Sequence, residues 1–211
     1  FACLISRFVK AETGRGNVAL DDVVPGSSVA GSGVMPSSVA LAVASSESAR
    51  DRIAASYAKA ADILRFYASL IGEAAYPTLT VALTDAVLPG GHSPAYFAVL
   101  NHPLPRHSGF ARAWGGDPVA FSGYPSFFLA HELAHQWWGQ AVGWKNYHEQ
   151  WLSEGLAQYF AALHVRESDG DEAFEDVMAE LRRWSSRHSD QGPIYLGYRL
   201  GQIEDEPRVF R

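Results

Sequence analysis

The run His131-Glu132-Leu133-Ala134-His135 places two imidazoles four residues apart with a carboxylate beside the first. On an α-helix residues four apart project in the same direction, so His131 and His135 can offer ring nitrogens to one divalent ion from adjacent turns. A catalytic zinc takes three protein ligands and keeps a further position open for water. Eighteen residues after His135 stands Glu154, within Trp151-Leu152-Ser153-Glu154-Gly155-Leu156-Ala157, which can supply the third donor. Glu132 does not project where the two histidines do, so it is placed to touch a water rather than the ion, and it reads as a general base. The chemistry is metal-assisted hydrolysis. Two imidazoles and one carboxylate suit Zn2+, although such ligands also accept cobalt or nickel.

Elements must hold these groups in place. Ser126 to Val142 reads as one helix rich in Phe, Leu, Ala and Trp, which sinks two histidines and a glutamate into an apolar wall. Polar groups there need partners. The plain alternative to a metal site is a buried helix whose histidines are satisfied by hydrogen bonds within the core.

The stretch Gly139 to Tyr159, with the block Trp-Leu-Ser-Glu-Gly-Leu-Ala, resembles without gaps the segment that follows H-E-x-x-H in the aminopeptidase N family of zinc peptidases. That family is a gluzincin, and its own block reads W-L-N-E-G-F-A, so only Ser153 and Leu156 differ. The resemblance is close over about residues 126 to 165. It implies His131, His135 and Glu154 as ligands of one Zn2+, Glu132 as the catalytic carboxylate, and an α+β, thermolysin-like catalytic domain acting on a peptide or protein substrate. Such a domain has a mixed-sheet lobe over 1–125 and a helical lobe over 126–211, with zinc in the cleft between them. Glu149, where the family often has Asp, is a candidate outer partner of a ligand histidine; a solvated surface carboxylate is the alternative.

Two departures bear on specificity. The family's G-x-M-E-N motif holds the substrate's free amine through its Glu, but here the place is taken by Pro89-Gly90-Gly91-His92-Ser93. The amine anchor is missing, which argues against aminopeptidase specificity; His92 is a candidate substrate contact or an exposed loop histidine without a role. The family's oxyanion-stabilising Tyr stands about sixty residues after the third ligand, a position just past Arg211. Tyr195 and Tyr198 are candidate substitutes at the substrate, or tyrosines that pack at a cleft edge. The competing function is a catalytically weak or inactive peptidase-like module that binds peptide segments without cutting them.

Composition narrows the rest. The 211 residues are 47% hydrophobic with a net charge of −6 and no basic stripe, which argues against nucleic acid as a partner. No segment approaches the roughly 18 uninterrupted apolar residues of a membrane span. Nothing fixes an oligomeric state or a compartment, and the lone Cys3 reads as a buried structural thiol. The start at Phe1, with Phe1 to Val9 resembling a strand entered midway, reads as a piece of a longer protein.

Along the chain, Thr13 to Ser37 is rich in Gly, Ser and Pro and reads as connecting loops. Val39 to Val43, Thr78 to Thr84 and Tyr96 to Asn101 read as strands, the last two joined by the loop Ala86 to Pro94. Glu47 to Ile71 is one long amphipathic helix stopped by Gly72, its apolar face formed by Ile53, Ala54, Tyr57, Ala61, Ile63, Leu64, Tyr67 and Leu70. Helices are also expected at about Ser153 to Arg166 and Asp171 to Arg187, the latter with an acidic start and a basic end that match its dipole.

Overall fold

The computed structural model describes residues 9–20, 38–84, 91–101, 123–124, 126–187 and 189. The chain divides into two compact units, Phe1–Pro103 and Leu104–Arg211. Residues 102–122 and 125, beside the lobe boundary expected at 125/126, lie outside the described residues.

Among the described residues the first unit holds a four-stranded mixed sheet and one α-helix. Its strands β1 (Val9–Ala19), β2 (Ser38–Ser45), β3 (Thr78–Thr84) and β4 (Phe97–Asn101) lie in the order β1-β2-β3-β4. β1 pairs antiparallel with β2, while β2–β3 and β3–β4 are parallel. Parallel neighbours need a crossover, and helix α1 (Ile53–Ile71) supplies the one between β2 and β3. Val39, Leu41, Val43, Leu79, Val81, Leu83, Ala98 and Leu100 are all buried, as expected of β-branched and aliphatic runs in a parallel sheet.

Several expectations change here. The long helix begins as a 3-10 turn over Glu47–Arg52 and becomes α-helical only at Ile53. It ends where Gly72 takes a left-handed conformation (φ 93) and its N–H bonds the Ala68 carbonyl at 2.7 Å. Ile53, Ala61, Ile63, Leu64 and Tyr67 are buried, but Ala54 and Leu70 face outward. Part of the expected loop Thr13 to Ser37 is strand. β1 runs through Thr13-Gly14-Arg15-Gly16-Asn17 because the pairing with β2 is made by main-chain groups, which depends little on the side chains present. Its register slips between Lys10 and Arg15. Gly16 has a packing reason as well: a Cβ there would lie 2.5 Å from the Tyr57 hydroxyl of α1. Phe1 to Phe8, Cys3 among them, lie outside the described residues.

The second unit is helical: α2 (Phe127–Ala134), α3 (Trp151–Asp169) and α4 (Asp171–Arg187). All eight residues of α2 are buried. A helix apolar on nearly every side belongs inside a unit, and α2 packs on α3. Alanines make the close approach possible: Ala130 and Ala134 of α2 and Ala157 and Ala161 of α3 are completely enclosed. α3 and α4 meet at Gly170, where Arg166 pairs with Asp171 at 2.5 Å and lies over the Phe174 ring. Among the described residues no helix is long and apolar enough to cross a membrane.

Candidate metal centre

The helix expected over Ser126 to Val142 ends at Ala134. Gln136 and Trp137 donate to the carbonyls of Leu133 and Ala134, three residues back, so the last turn tightens. The chain then reverses: Gly139 sits at φ +109, its N–H bonds the Val142 carbonyl at 2.9 Å, and Val142 N–H bonds the Trp137 carbonyl at 2.8 Å. A side chain at position 139 would meet both the left-handed backbone and the Ser153 Cβ, 3.0 Å from an added Cβ. This reversal accompanies a contact that the helix alone would not make. The Trp138 carbonyl lies 3.1 Å from His135 Nδ1.

That contact fixes a tautomer. A carbonyl only accepts, so His135 carries its proton on Nδ1 and leaves Nε2 free to ligate or be protonated. Nε2 of His135 lies 3.1 Å from Nε2 of His131, and one carboxylate oxygen of Glu154 lies 3.4 Å and 3.5 Å from the two rings. Glu154 is in the first turn of α3, and the segment before it is built to deliver it there. Lys145 N–H donates to the Glu149 carboxylate at 3.0 Å, His148 N–H donates to Asn146 Oδ1, and the Ser153 hydroxyl donates to the Gln150 carbonyl at 2.9 Å.

The three donors fit a metal. His131, His135 and Glu154 each present one ligand atom, and these atoms lie within 4.8 Å of one another. With metal–ligand bonds of about 2.0–2.1 Å, the edge of a tetrahedron around zinc is about 3.3 Å. The observed separations of 3.1, 3.4 and 3.5 Å sit on either side of that edge. The donor chemistry agrees, because two neutral imidazoles and a carboxylate are a known zinc set.

The side chains of the site shift one another's titration. Burial is the largest influence on His135 and disfavours its charged form, yet the hydrogen bond and charge of Glu154, the charge of Glu132 and the Trp138 carbonyl outweigh it and lift the ring to about 9. For Glu154, burial would raise the pKa, but hydrogen bonds from His131 and His135 and their charge bring it down to about 2. A dense group of polar side chains beneath the surface, held by mutual charge, is where a dication would substitute for protons. Glu132 is only 4% exposed and close enough for its charge to act on His135.

Residues 126–193 match the Peptidase family M1 domain. That similarity takes in about a third of the chain. Among the proteins it is similar to, human aminopeptidase O is 52% identical over 78 residues, which is 37% of this chain and 8% of that protein. Human glutamyl aminopeptidase is 40% identical over 50 residues, 24% of this chain and 5% of that protein. Bovine endoplasmic reticulum aminopeptidase 2 is 34% identical over 65 residues, 29% and 7%. The chain thus spans less than a tenth of the length of these peptidases, and residues 126–193, which match the family domain, hold all three candidate ligands.

The other residues singled out from sequence fare differently. Glu149 shapes the turn ahead of α3 through Lys145. The outer acceptor that His135 does have, the Trp138 carbonyl, is a main-chain group, so no side-chain pattern could announce it. His92 exchanges hydrogen bonds with Val99, at 3.1 and 2.8 Å, as an isolated antiparallel bridge, and its side chain is exposed. Pro89, Gly90, Tyr195 and Tyr198 lie outside the described residues.

Proposed function

We propose that the chain carries the zinc-binding and catalytic core of a peptide-bond hydrolase. His131, His135 and Glu154 hold one Zn2+, and Glu132 is the general base. The observation that carries this reading is the convergence of three donor atoms from α2, the turn after it and α3, at separations close to a tetrahedral edge. The similarity to family M1 peptidases supports peptide hydrolysis. When bound, zinc activates water and polarises the scissile carbonyl. Glu132, desolvated on α2 beside the first ligand, accepts a proton from the attacking water and returns it to the leaving amine. His135, donating from Nδ1 to the Trp138 carbonyl, keeps its Nε2 lone pair aimed at the site.

A thermolysin-like arrangement, with the sheet unit preceding the helical unit, belongs to the same reading. So do a peptide or protein substrate, His92, Tyr195 and Tyr198 as substrate contacts, and Glu149 as an outer partner through the turn it holds. The substitution of Pro89-Gly90-Gly91-His92-Ser93 for an acidic amine anchor points away from a strict requirement for a free N-terminus.

The test is a peptide library incubated with the chain, with and without chelator, alongside Glu132→Gln. Expected are chelator-sensitive cleavage in the unsubstituted chain and retained zinc with no hydrolysis in the variant. A Glu132→Gln protein that cuts as fast as the parent would remove the general base from the mechanism. Saturable peptide binding without products would favour the non-cutting module.

A further inference from the structure

His131 raises a problem that His135 does not. Its Nε2 faces His135 and Glu154, so to ligate a metal as a neutral ring it must carry its proton on Nδ1. That Nδ1 is buried and has no hydrogen-bond partner among the described residues, while the residue as a whole is 3% exposed. A buried N–H without an acceptor is costly, and metal-ligating histidines nearly always have one.

A second buried group is equally unsatisfied. Gln158 is 4% exposed, and among the described residues neither its Oε1 nor its Nε2 has a partner. It lies four residues after Glu154 on α3, the spacing that also relates His131 to His135, so it occupies the next turn on the side of α3 that carries the third ligand. Ala157 and Ala161, on either side of it, are completely enclosed, and α3 packs on α2. An amide with no partner in such a place is expensive unless it serves something.

We propose that Gln158 is the positioning residue for His131: its Oε1 accepts the His131 Nδ1–H, directly or through one enclosed water, and so fixes the tautomer and orientation in which Nε2 binds the metal. This rests on the metal-centre reading above. The amide oxygen does for the first histidine what the Trp138 carbonyl does for the second. Neither group touches substrate, so the effect is on metal affinity and ring orientation rather than on a chemical step.

The experiment uses the full 211-residue chain and Zn2+ in competition with a chromophoric chelator, together with the thermal midpoint of the metal-free protein. Gln158→Met keeps the shape and removes the acceptor. It should weaken zinc binding about 10- to 100-fold, with a metal-free midpoint equal to or above that of the parent. Gln158→Glu restores an acceptor and should recover the affinity. In the zinc-loaded parent, the His131 Nδ1–H should give a sharp, exchange-protected proton signal by NMR that is lost in Gln158→Met. Parental zinc affinity in Gln158→Met, or a Gln158→Glu protein as weak as Gln158→Met, overturns the proposal. A parent that binds zinc no better than His135→Ala would instead sink the metal centre itself, so the two failures are told apart.

Discussion

His135 works with both of its nitrogens, and this gives the metal-free site a distinctive pH behaviour. The folded pKa of about 9 exceeds the ordinary 6.5, so its stabilising contribution is complete below about 6.5 and is lost as pH rises through 9. Glu154 is shifted the opposite way, from 4.5 to about 2, so its contribution is complete above 4.5 and is lost as pH falls through 2. The metal-free chain should therefore be most resistant to urea between about pH 4.5 and 6.5, and chemical denaturation across pH 3 to 10 checks it. A profile that keeps rising to pH 10 would contradict the coupling. Zinc must displace the His135 proton, so its apparent affinity should climb as pH rises toward 9. His131→Ala or Glu154→Ala should each abolish stoichiometric zinc, measured by elemental analysis after gel filtration. The approach of His131 to His135 was legible in the sequence because a four-residue helical spacing converts directly into a shared direction. The Trp138 carbonyl was not, since every residue carries one and only the chain reversal aims it.

That reversal belongs to the elements, and Gly139 is its pivot. Gly139→Ala must place a Cβ in a left-handed backbone conformation and 3.0 Å from Ser153 Cβ. A stability loss of about 1–2 kcal/mol is expected from the backbone alone, and weaker zinc binding should accompany it because Trp138 precedes the turn. Equilibrium denaturation with zinc titration reads both; an unchanged protein would show that the turn tolerates a side chain. The α2–α3 contact makes a similar demand. Ala161→Leu adds volume where no space exists and should cost about 1–3 kcal/mol by denaturant unfolding. Element boundaries were readable where composition and periodicity agreed: β3 and α4 occupy the residues expected of them. They were misread where a main-chain interaction overrode local preference. β1 includes a glycine- and asparagine-bearing stretch because β2 offers it a ladder, and α2 stops eight residues early because Gly139 allows a turn back. Leu70 reads as core by periodicity yet is half exposed, lying in the last turn of α1, one residue from its end.

All three candidate ligands reside in Leu104–Arg211, so any stabilisation that zinc brings should be confined there in the first instance. At free zinc about a thousand times its Kd, linkage predicts a gain of about 4 kcal/mol. Hydrogen exchange should show that gain at Ala130, Leu133 and Ala161, with β2 and β3 unaffected; an equal rise at Leu41 and Val81 would mean that the two units unfold together. The overall class was legible early, since strands precede helices in the order of the elements. One consequence follows from α2, whose every residue is enclosed. An eight-residue helix has little standing in water by itself, and this one has no wetted face to keep it dissolved. A synthetic excerpt bearing the five-residue signature would hold the correct letters and no receptacle, and grafting it onto an unrelated scaffold would require transplanting the alanine seam of α3 as well.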